Sequence, residues 1–435
     1  MRALVIGAGI GGPVAAVALR RAGIDAVVHE AHAGPAASLG SFLNIAPNGL
    51  AALDALGILG PVLSAADFPT SSIEMRNGKG RHLGTLSDGS ADLGPGLRTV
   101  TIMRGRLQEA LSHAAADNGV GIEYGRRLTG VTDTGSGVVA HFTDGGTSEG
   151  DVLIGADGIH SPVRAAMYGA AGERAPRPEY TGLLNIGGVT PPLPLEPTPE
   201  GTIRMTYGRR AFFGHQTAPD GRIFWFTNFP HPRADRDTLT SRTPEQWRDH
   251  VIGLFTGDHP DITAILRASP VPGFTPDGIH DIAGLPYWSR GRVGLLGDAA
   301  HAVSSSSGQG ASLAVEDAVT VAACLRDVAD PASALQVYEA LRRDRVGRIV
   351  AEGRRRGRTK LAAGPLQTAL RDLVLPVVFR AIAARKGHSW IFDHRIDFEA
   401  RVDAAAGGVS GGVSGPRGPR WPGAPRWPSG GAGRR

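Results

Sequence analysis

A single cysteine, Cys324, stands among the 435 residues, so neither an internal disulfide nor a cysteine-built zinc site can form. A reducing cytoplasm is the simplest home for such a chain. No apolar run approaches the ~20 residues that a membrane-crossing helix needs. The one candidate, ALVIGAGIGGPVAAVAL near the N-terminus, is broken by glycines and preceded only by Arg2. It reads as a strand and a helix rather than a cleaved leader. Acids are missing from one region: beyond Ala404 there are five arginines and no Asp or Glu, and setting those five apart from the 46 bases leaves 41 against 41 acids. The net charge of +5 is therefore a property of the tail, and nucleic-acid binding by the body loses its compositional support. The tail itself, 404–435, repeats GGVSG and PRWP, cannot bury a core and is expected to be disordered.

The length predicts at least two domains. RALVIGAGI is a short apolar run bounded by glycine, GGPVAAVALRRAG is an alanine-rich helix closed by Gly23, and DAVVHE is a second strand. In this βαβ opening Gly7, Gly9 and Gly12 spell GxGxxG, with Gly11 between them, at the strand-to-helix junction. There the chain must turn tightly, admit a pyrophosphate to its backbone and pack helix on strand. Glu30 closes the second strand 18 residues after Gly12, where a carboxylate accepts the ribose hydroxyls of an adenosine and repels a 2′-phosphate. A glycine-rich turn with a surface glutamate is the plainer alternative, and the complete strand, turn, helix, strand and acid context weighs against it.

SIEMRNGKGRHLGTL, with its NG and KG turns, predicts a hairpin within 72–100 that joins a substrate layer. RGRLQEALSHAAADNG predicts an amphipathic helix. Between Pro176 and Gly278 prolines multiply, and TIRMTYGRRAFFGHQ and GRIFWFTNFP read as antiparallel strands. This predicts a substrate layer, 176–278, inserted into a first domain built from 1–175 and 279–403.

Two later stretches carry chemistry. In DVLIGADGIHSPVR a buried strand delivers Asp157 and Gly158 to a turn, with Ser161 and Arg164 beyond it. Standing alone, it reads equally well as an Asp-Gly turn with a helix-capping serine. In GDAAHAVSSSSGQGASLAVEDA, Asp298 sits at the carboxyl end of a strand, where ligands of open α/β sheets collect. Gly308 and Gly310 permit close backbone approach. The helix from Ala311 offers unpaired amides and a positive dipole end to developing negative charge.

Taken in order, GxGxxG with Glu30, RGRLQEAL, GADGIHSPVR and GDAAHAVSSSSGQGASLAVEDA resemble the single-component flavoprotein aromatic hydroxylases, the para-hydroxybenzoate hydroxylase-like FAD-dependent monooxygenases, from Met1 to about Asp403. YEALRRDR from Tyr338 matches the family's YExxR run. The resemblance implies an α/β fold: a Rossmann-like FAD-binding domain of the glutathione-reductase type, an inserted antiparallel β-sheet substrate domain and C-terminal helices. It implies bound FAD, a transient NADPH or NADH reductant, O2 as co-substrate, and hydroxylation of an aromatic or polyketide-like molecule through a flavin C4a-hydroperoxide. By motif, Gly7, Gly9, Gly11 and Gly12 serve the pyrophosphate and Glu30 the adenosine ribose. Arg104 serves the phosphate and ribityl region, Asp157 both FAD and the nicotinamide, and Asp298 the ribityl chain. The turn containing Gly308, Gly310 and Ala311 cups the pyrimidine side of the ring. One departure stands out: the family's proline midway through the loop after GDAAH is Ser305 here, which leaves the geometry beside the reactive face of the flavin open.

No catalytic residue is fixed by pattern. Tyr207, Phe213, His215, Trp225 and Phe226 are the candidate substrate contacts, although aromatics on strands are more often core. His215 is the candidate for deprotonating a phenol, Tyr207 and Ser305 are further catalytic candidates, and His301 reads as a loop anchor. Arg354–Arg358 (RRRGR) offers charge to a nicotinamide phosphate or forms a solvated helix face. Other readings stay open: an epoxidase, a flavin-dependent halogenase, and a non-catalytic nucleotide-binding regulatory protein. For the halogenase, WFTNFP matches WxWxIP only loosely because Thr227 stands at the second tryptophan. No metal and no nucleic-acid partner is expected.

Overall fold

The computed structural model describes residues 1–35, 41–87, 90, 95–282, 284–358, 360, 365–384, 389–403 and 408–410. Arg2–Ile6 lies inside a six-stranded sheet ordered Ser289–Arg290, Val293–Leu295, Val152–Gly155, Arg2–Ile6, Asp25–His29 and Gly121–Glu123. Every pairing is parallel except that of Ser289–Arg290, which runs back along Val293–Leu295. Parallel strands are covered on both faces and so read as unbroken apolar runs. ALVI at 3–6 and VLIG at 152–155 are accordingly buried throughout.

Two helices, Gly11–Arg21 and Gly310–Asp327, pack against each other. Gly11 to Leu19 are all buried, as are Ser312 to Leu325. Alanine and valine recur in both stretches, with Gly11 and Gly12 in the first, and small side chains let helix backbones approach closely. The α/β architecture with a parallel dinucleotide-type sheet is the one the resemblance implies.

A second sheet has seven strands in the order Asp277–Asp281, Glu179–Thr190, Ile223–Pro230, Phe212–Thr217, Thr202–Tyr207, Ser72–Asn77 and His82–Ser87. Its pairings are antiparallel apart from Thr202–Tyr207 with Ser72–Asn77. The NG and KG hairpin forms one edge, and the strand at the other edge runs to Asp281, past the boundary at 278. Side chains alternate between the faces of a strand, and here the two faces meet different partners. Phe213, Trp225, Phe229, Leu184 and Ile186 form a buried cluster with Trp247, Val251, Ile262 and Ile265. The last four come from helices Pro244–Leu254 and Pro260–Ala268. Each fully buried large apolar side chain contributes about 1.5–3 kcal/mol. Phe224 and Phe226 point the other way: the ring of Phe42 stands 5.6 Å from Phe224 and 6.2 Å from Phe226, and Phe68 lies 4.9 Å from Phe224. Phe42–Ile45 and Phe68–Pro69 flank Val100–Met103 in a small sheet that joins the two layers.

The C-terminal part begins with a 28-residue helix, Pro331–Arg358, followed by Pro365–Ala384, which keeps Pro376 inside it. Arg401–Asp403 then pairs antiparallel with Gly408–Ser410. The segment expected to be disordered from 404 therefore contains a paired strand, while 404–407 and 411–435 lie outside the described residues. No described helix is long and apolar enough to cross a membrane.

Candidate functional site

The glycines of GxGxxG divide the work. Gly7 has φ +105°, and a Cβ on it would stand 2.6 Å from the Ala156 carbonyl oxygen; one on Gly12 would stand 1.8 Å from that of Gly7. These two let strand, helix and neighbouring strand close on one another. Gly11 packs closely too, since its Cβ would meet Leu296 Cδ1 at 2.6 Å. Gly9 alone faces open space, with nothing within 4 Å. It precedes a helix whose first turn has neither a side-chain cap nor an acid. Unspent amides at such a start bind phosphate oxygens.

Glu30 is buried, and its Oε2 accepts the Ala8 N–H at 2.6 Å while Oε1 accepts that of His32 at 2.9 Å. Burial alone would raise this carboxyl, yet those amides and the His32 ring hold it below the usual range. From the helix Arg104–Asp117, Gln108 Nε2 donates to the Ala8 carbonyl at 2.8 Å. That contact steadies the glycine turn, and no local pattern announces it.

Asp157 follows the buried strand Val152–Gly155. Its Oδ2 accepts the Val163 N–H at 2.8 Å, and its Oδ1 is buried without a partner. Burial raises this carboxyl to about 6 against the pull of its hydrogen bonds. Ser161 caps the next helix by accepting the Arg164 N–H at 2.8 Å. The buried Arg164 reaches further, donating to the carbonyls of Ala299 at 2.8 Å and Ile159 at 2.6 Å. The Asp-Gly turn is thereby tied to the segment that carries Asp298.

Asp298 starts a single helical turn, Asp298–His301, after the strand Val293–Leu295. Its side chain is open to solvent, yet the surrounding protein mass raises its pKa, with His301 and Arg104 pulling it back. Its carboxylate is thus accessible to a ligand entering the crevice outside the strand ends of the six-stranded sheet. Arg104 is exposed, and among the described residues its guanidinium has no hydrogen-bond or ion-pair partner, leaving its charge directed at Asp298 and Asp277.

Hydroxyls and backbone amides brace the serine loop. Ser305–Ser307 is a 3-10 turn in which Ser307 N–H donates to the Ser304 carbonyl at 2.9 Å and Gln309 N–H to Ser307 Oγ at 3.1 Å. Gly308 follows in the left-handed region at φ +64°, and Ser305 is exposed. The helix Gly310–Asp327 then begins with no side-chain cap and no acid in its first turn. Gly310 lies 4.0 Å from Asp298 Oδ1, measured from where its Cβ would stand, and Ala311 is half-buried beside it. His301 Nε2 lies 2.5 Å from Asp317 Oδ2, so the histidine anchors the loop.

The structure does not bring every candidate together. His215 is cross-strand neighbour to Trp225 and Arg204, 5.7 Å from the Phe213 ring, on the face packed by the two helices. Burial lowers its pKa to about 3. It is turned away from the crevice, with Phe213 and Trp225. Tyr207 packs 5.2 Å from Phe212, beneath Arg371. Phe226 is half-buried on the crevice side, together with Met205 and Phe42. Of RRRGR, Arg354 binds Asp281 and Glu179, while Arg355 and Arg356 bind Glu352. A cleft of about 580 Å³ beside the Asp-Gly turn is lined instead by His160, Ser161, Arg164, Arg174, Arg177 and His280.

These features fit FAD: an open Gly9 and bare helix start for the pyrophosphate, Glu30 for the ribose, the orphaned Asp157 oxygen, the accessible Asp298 and a second bare helix start at Gly310. The family model described as "FAD binding domain" matches residues 1–209 and 284–353. The FAD-dependent urate hydroxylase of Klebsiella pneumoniae subsp. pneumoniae is 34% identical over 362 residues, covering 82% of this chain and 89% of that protein. The 6-hydroxynicotinate 3-monooxygenase of Pseudomonas fluorescens is 30% identical over 361 residues, covering 80% and 89%. The solved structure of Klebsiella pneumoniae HpxO with FAD and uric acid superposes with a TM-score of 0.77 at 30% identity, covering 90% of this chain and 97% of that one.

Proposed function

This chain belongs to the single-component FAD-dependent hydroxylases, and on that premise we propose that it hydroxylates a planar, ring-hydroxylated aromatic or heteroaromatic held between the Phe226 face of the seven-stranded sheet and the flavin. It is an FAD-dependent monooxygenase, and the non-catalytic alternative falls away with that membership. FAD, when bound, supplies electron transfer from a reduced nicotinamide and the activation of O2. The chain's own part is to hold the cofactor through Gly9, Glu30, Asp157 and Asp298, to keep water out, and to orient the substrate.

One observation carries the substrate class. The crevice side of the sheet offers half-buried apolar surface at Phe226, Met205 and Phe42, matched to a flat ring rather than a flexible polar chain. The named relatives act on urate and 6-hydroxynicotinate, both flat and ionisable rings. Arg174 and Arg177 in the cleft beside the Asp157–Gly158 turn, which Glu173 also lines, offer positive charge to the phosphates of the nicotinamide reductant, in place of Arg354, Arg355 and Arg356, which are already paired.

The test is turnover with isotopically labelled dioxygen across a panel of phenols and hydroxylated N-heterocycles. The reading predicts that at least one probe stimulates NAD(P)H oxidation and gains one labelled oxygen atom. Flavin-bound enzyme that consumes NAD(P)H while labelling none of them would sink it.

A further inference from the structure

Lysine is scarce in this chain: Lys79, Lys360 and Lys386 are the only three among 46 basic residues. One of them stands where arginine would not serve. The helix Pro331–Arg358 runs against the serine loop through two glycines. A Cβ on Gly353 would lie 3.1 Å from Ser307 Cβ, and one on Gly357 would lie 3.6 Å from Ser306 Oγ. The Lys360 N–H donates to the Gly357 carbonyl at 3.0 Å, which roots the residue one turn beyond that loop. Its side chain then crosses to the substrate sheet. Nζ donates to Asn228 Oδ1 at 2.9 Å and sits 4.5 Å from the centre of the Phe212 ring and 5.7 Å from that of Phe226. Lys360 thus bridges the flavin-side loop and the aromatic wall against which the proposed substrate lies.

Its charged surroundings do not neutralise it. Among the described residues no carboxylate pairs with Nζ. On its own side of the sequence Arg356 faces it, already bound to Glu352 at 2.8 Å. On the helix Pro365–Ala384, Arg371 and Asp372 pair with each other at 3.0 Å, and Asp372 accepts from Asn77. On the sheet, His215 is turned to the opposite face. Asn228 spends its own amide on Asn185 Oδ1 at 2.9 Å and the Thr227 carbonyl. It therefore fixes the amine without completing a charged pair.

We propose that Lys360 accepts the acidic proton of a ring hydroxyl on the substrate, so that the ring is held as its oxyanion against the Lys360 ammonium. The inference rests on the aromatic hydroxylase reading above. In the step, the substrate O–H bond breaks and an N–H bond forms on Nζ; no electron leaves either partner. An ionised ring is the more electron-rich acceptor of oxygen. Burial and the neighbouring Arg356 lower the amine to about 7, so an uncharged acceptor is available near neutrality. Arginine cannot release its proton there and could not take this part.

Because the chain has three lysines, protein labelled with carbon-13 at the lysine ε-carbon gives three signals, and Lys360→Arg identifies one of them by its absence. In FAD-bound enzyme that signal is expected to titrate near neutrality. Adding 4-nitrophenol should raise its midpoint by a unit or more, a tenfold gain in proton affinity, while the bound nitrophenol absorbs as its yellow anion. Lys360→Met should weaken binding of that anion at least tenfold while retaining FAD. A Lys360 signal that titrates near ~10.4 like a free lysine, one that 4-nitrophenol leaves unmoved, or undiminished anion binding in Lys360→Met would each overturn the proposal. These readouts are independent of turnover. If they appear but no probe is hydroxylated, the proton site stands and the reaction assigned above is what fails.

Discussion

Arg342 holds Asp317 through Nε and Oδ1 at 2.7 Å, with both side chains shut off from water. Asp317 in turn accepts the Gly297 N–H at 3.0 Å and faces His301 Nε2. A guanidinium on the C-terminal helix therefore grips both ends of the short segment carrying Asp298. Its Nη1 also reaches Glu316 Oε2 at 2.6 Å, and Glu316 is shared with Arg345 and with Asn48 Nδ2.

Arg342→Met leaves the pair Glu316 and Asp317 buried with less counter-charge. Breaking a buried pair by removing one partner costs about 3–5 kcal/mol. A fall of that size in urea-denaturation stability is expected, with FAD released at lower urea than in the wild type. Arg342→Lys should recover only part of it, because one ammonium cannot reproduce two directed contacts.

Asp157 sets a pH dependence for cofactor binding. Its folded carboxyl titrates at about 6, mainly through burial, above the ordinary ~3.9. Without cofactor, its contribution to stability is full below ~3.9 and is lost as pH rises through about 6. The ionised form is the better acceptor of FAD hydroxyls, so FAD affinity should climb between about pH 5 and pH 7. Fluorescence titration of apoprotein should show that slope in the wild type and a flat, weaker response in Asp157→Asn.

His215 carries the opposite sign. Its folded pKa of about 3 lies below the ordinary value because the ring is buried. Its contribution to stability is present above ~6.5 and lost as pH falls toward the folded value, with a slope of up to ~1.4 kcal/mol per pH unit. His215→Gln should flatten the acid limb of the stability curve. Turnover near neutrality should be retained, because the ring faces the helices rather than the crevice.

Arg174→Ala with Arg177→Ala should raise KM for the reduced nicotinamide several-fold and leave kcat and FAD content close to wild type. Stopped-flow reduction against reductant concentration separates the two quantities. An unchanged KM would return the phosphate site to some other part of the surface.

The motifs that the sequence makes legible are those written within one short stretch of chain. Gly7 and Gly12 meet each other, and Asp157 and Asp298 end strands whose apolar runs are unmistakable. What stays hidden is settled by contacts with no local period. Gln108 reaches Ala8, Arg164 reaches Ala299 and Lys360 reaches Asn228 across separations of 100, 135 and 132 residues. The aromatic strands show why the substrate wall was only half readable. FFGH and IFWFTNF carry rings on both faces, so alternation divides them into two sets without saying which set is core. Helices Pro244–Leu254 and Pro260–Ala268 decide that by covering Phe213, Trp225 and His215. Ser305 gave no sign that its neighbours' hydroxyls would brace the turn.

The strand order has a consequence for how the protein is made. Val293–Leu295, which delivers Asp298, pairs with Val152–Gly155, and five of the seven strands of the aromatic layer are threaded between them. While the ribosome is still producing that layer, Val152–Gly155 presents a bare parallel edge, and such edges invite pairing with other chains. A nascent chain halted before Val293 should bind no FAD. The exposed interval ends only when the last two strands of the sheet, Ser289–Arg290 and Val293–Leu295, leave the tunnel.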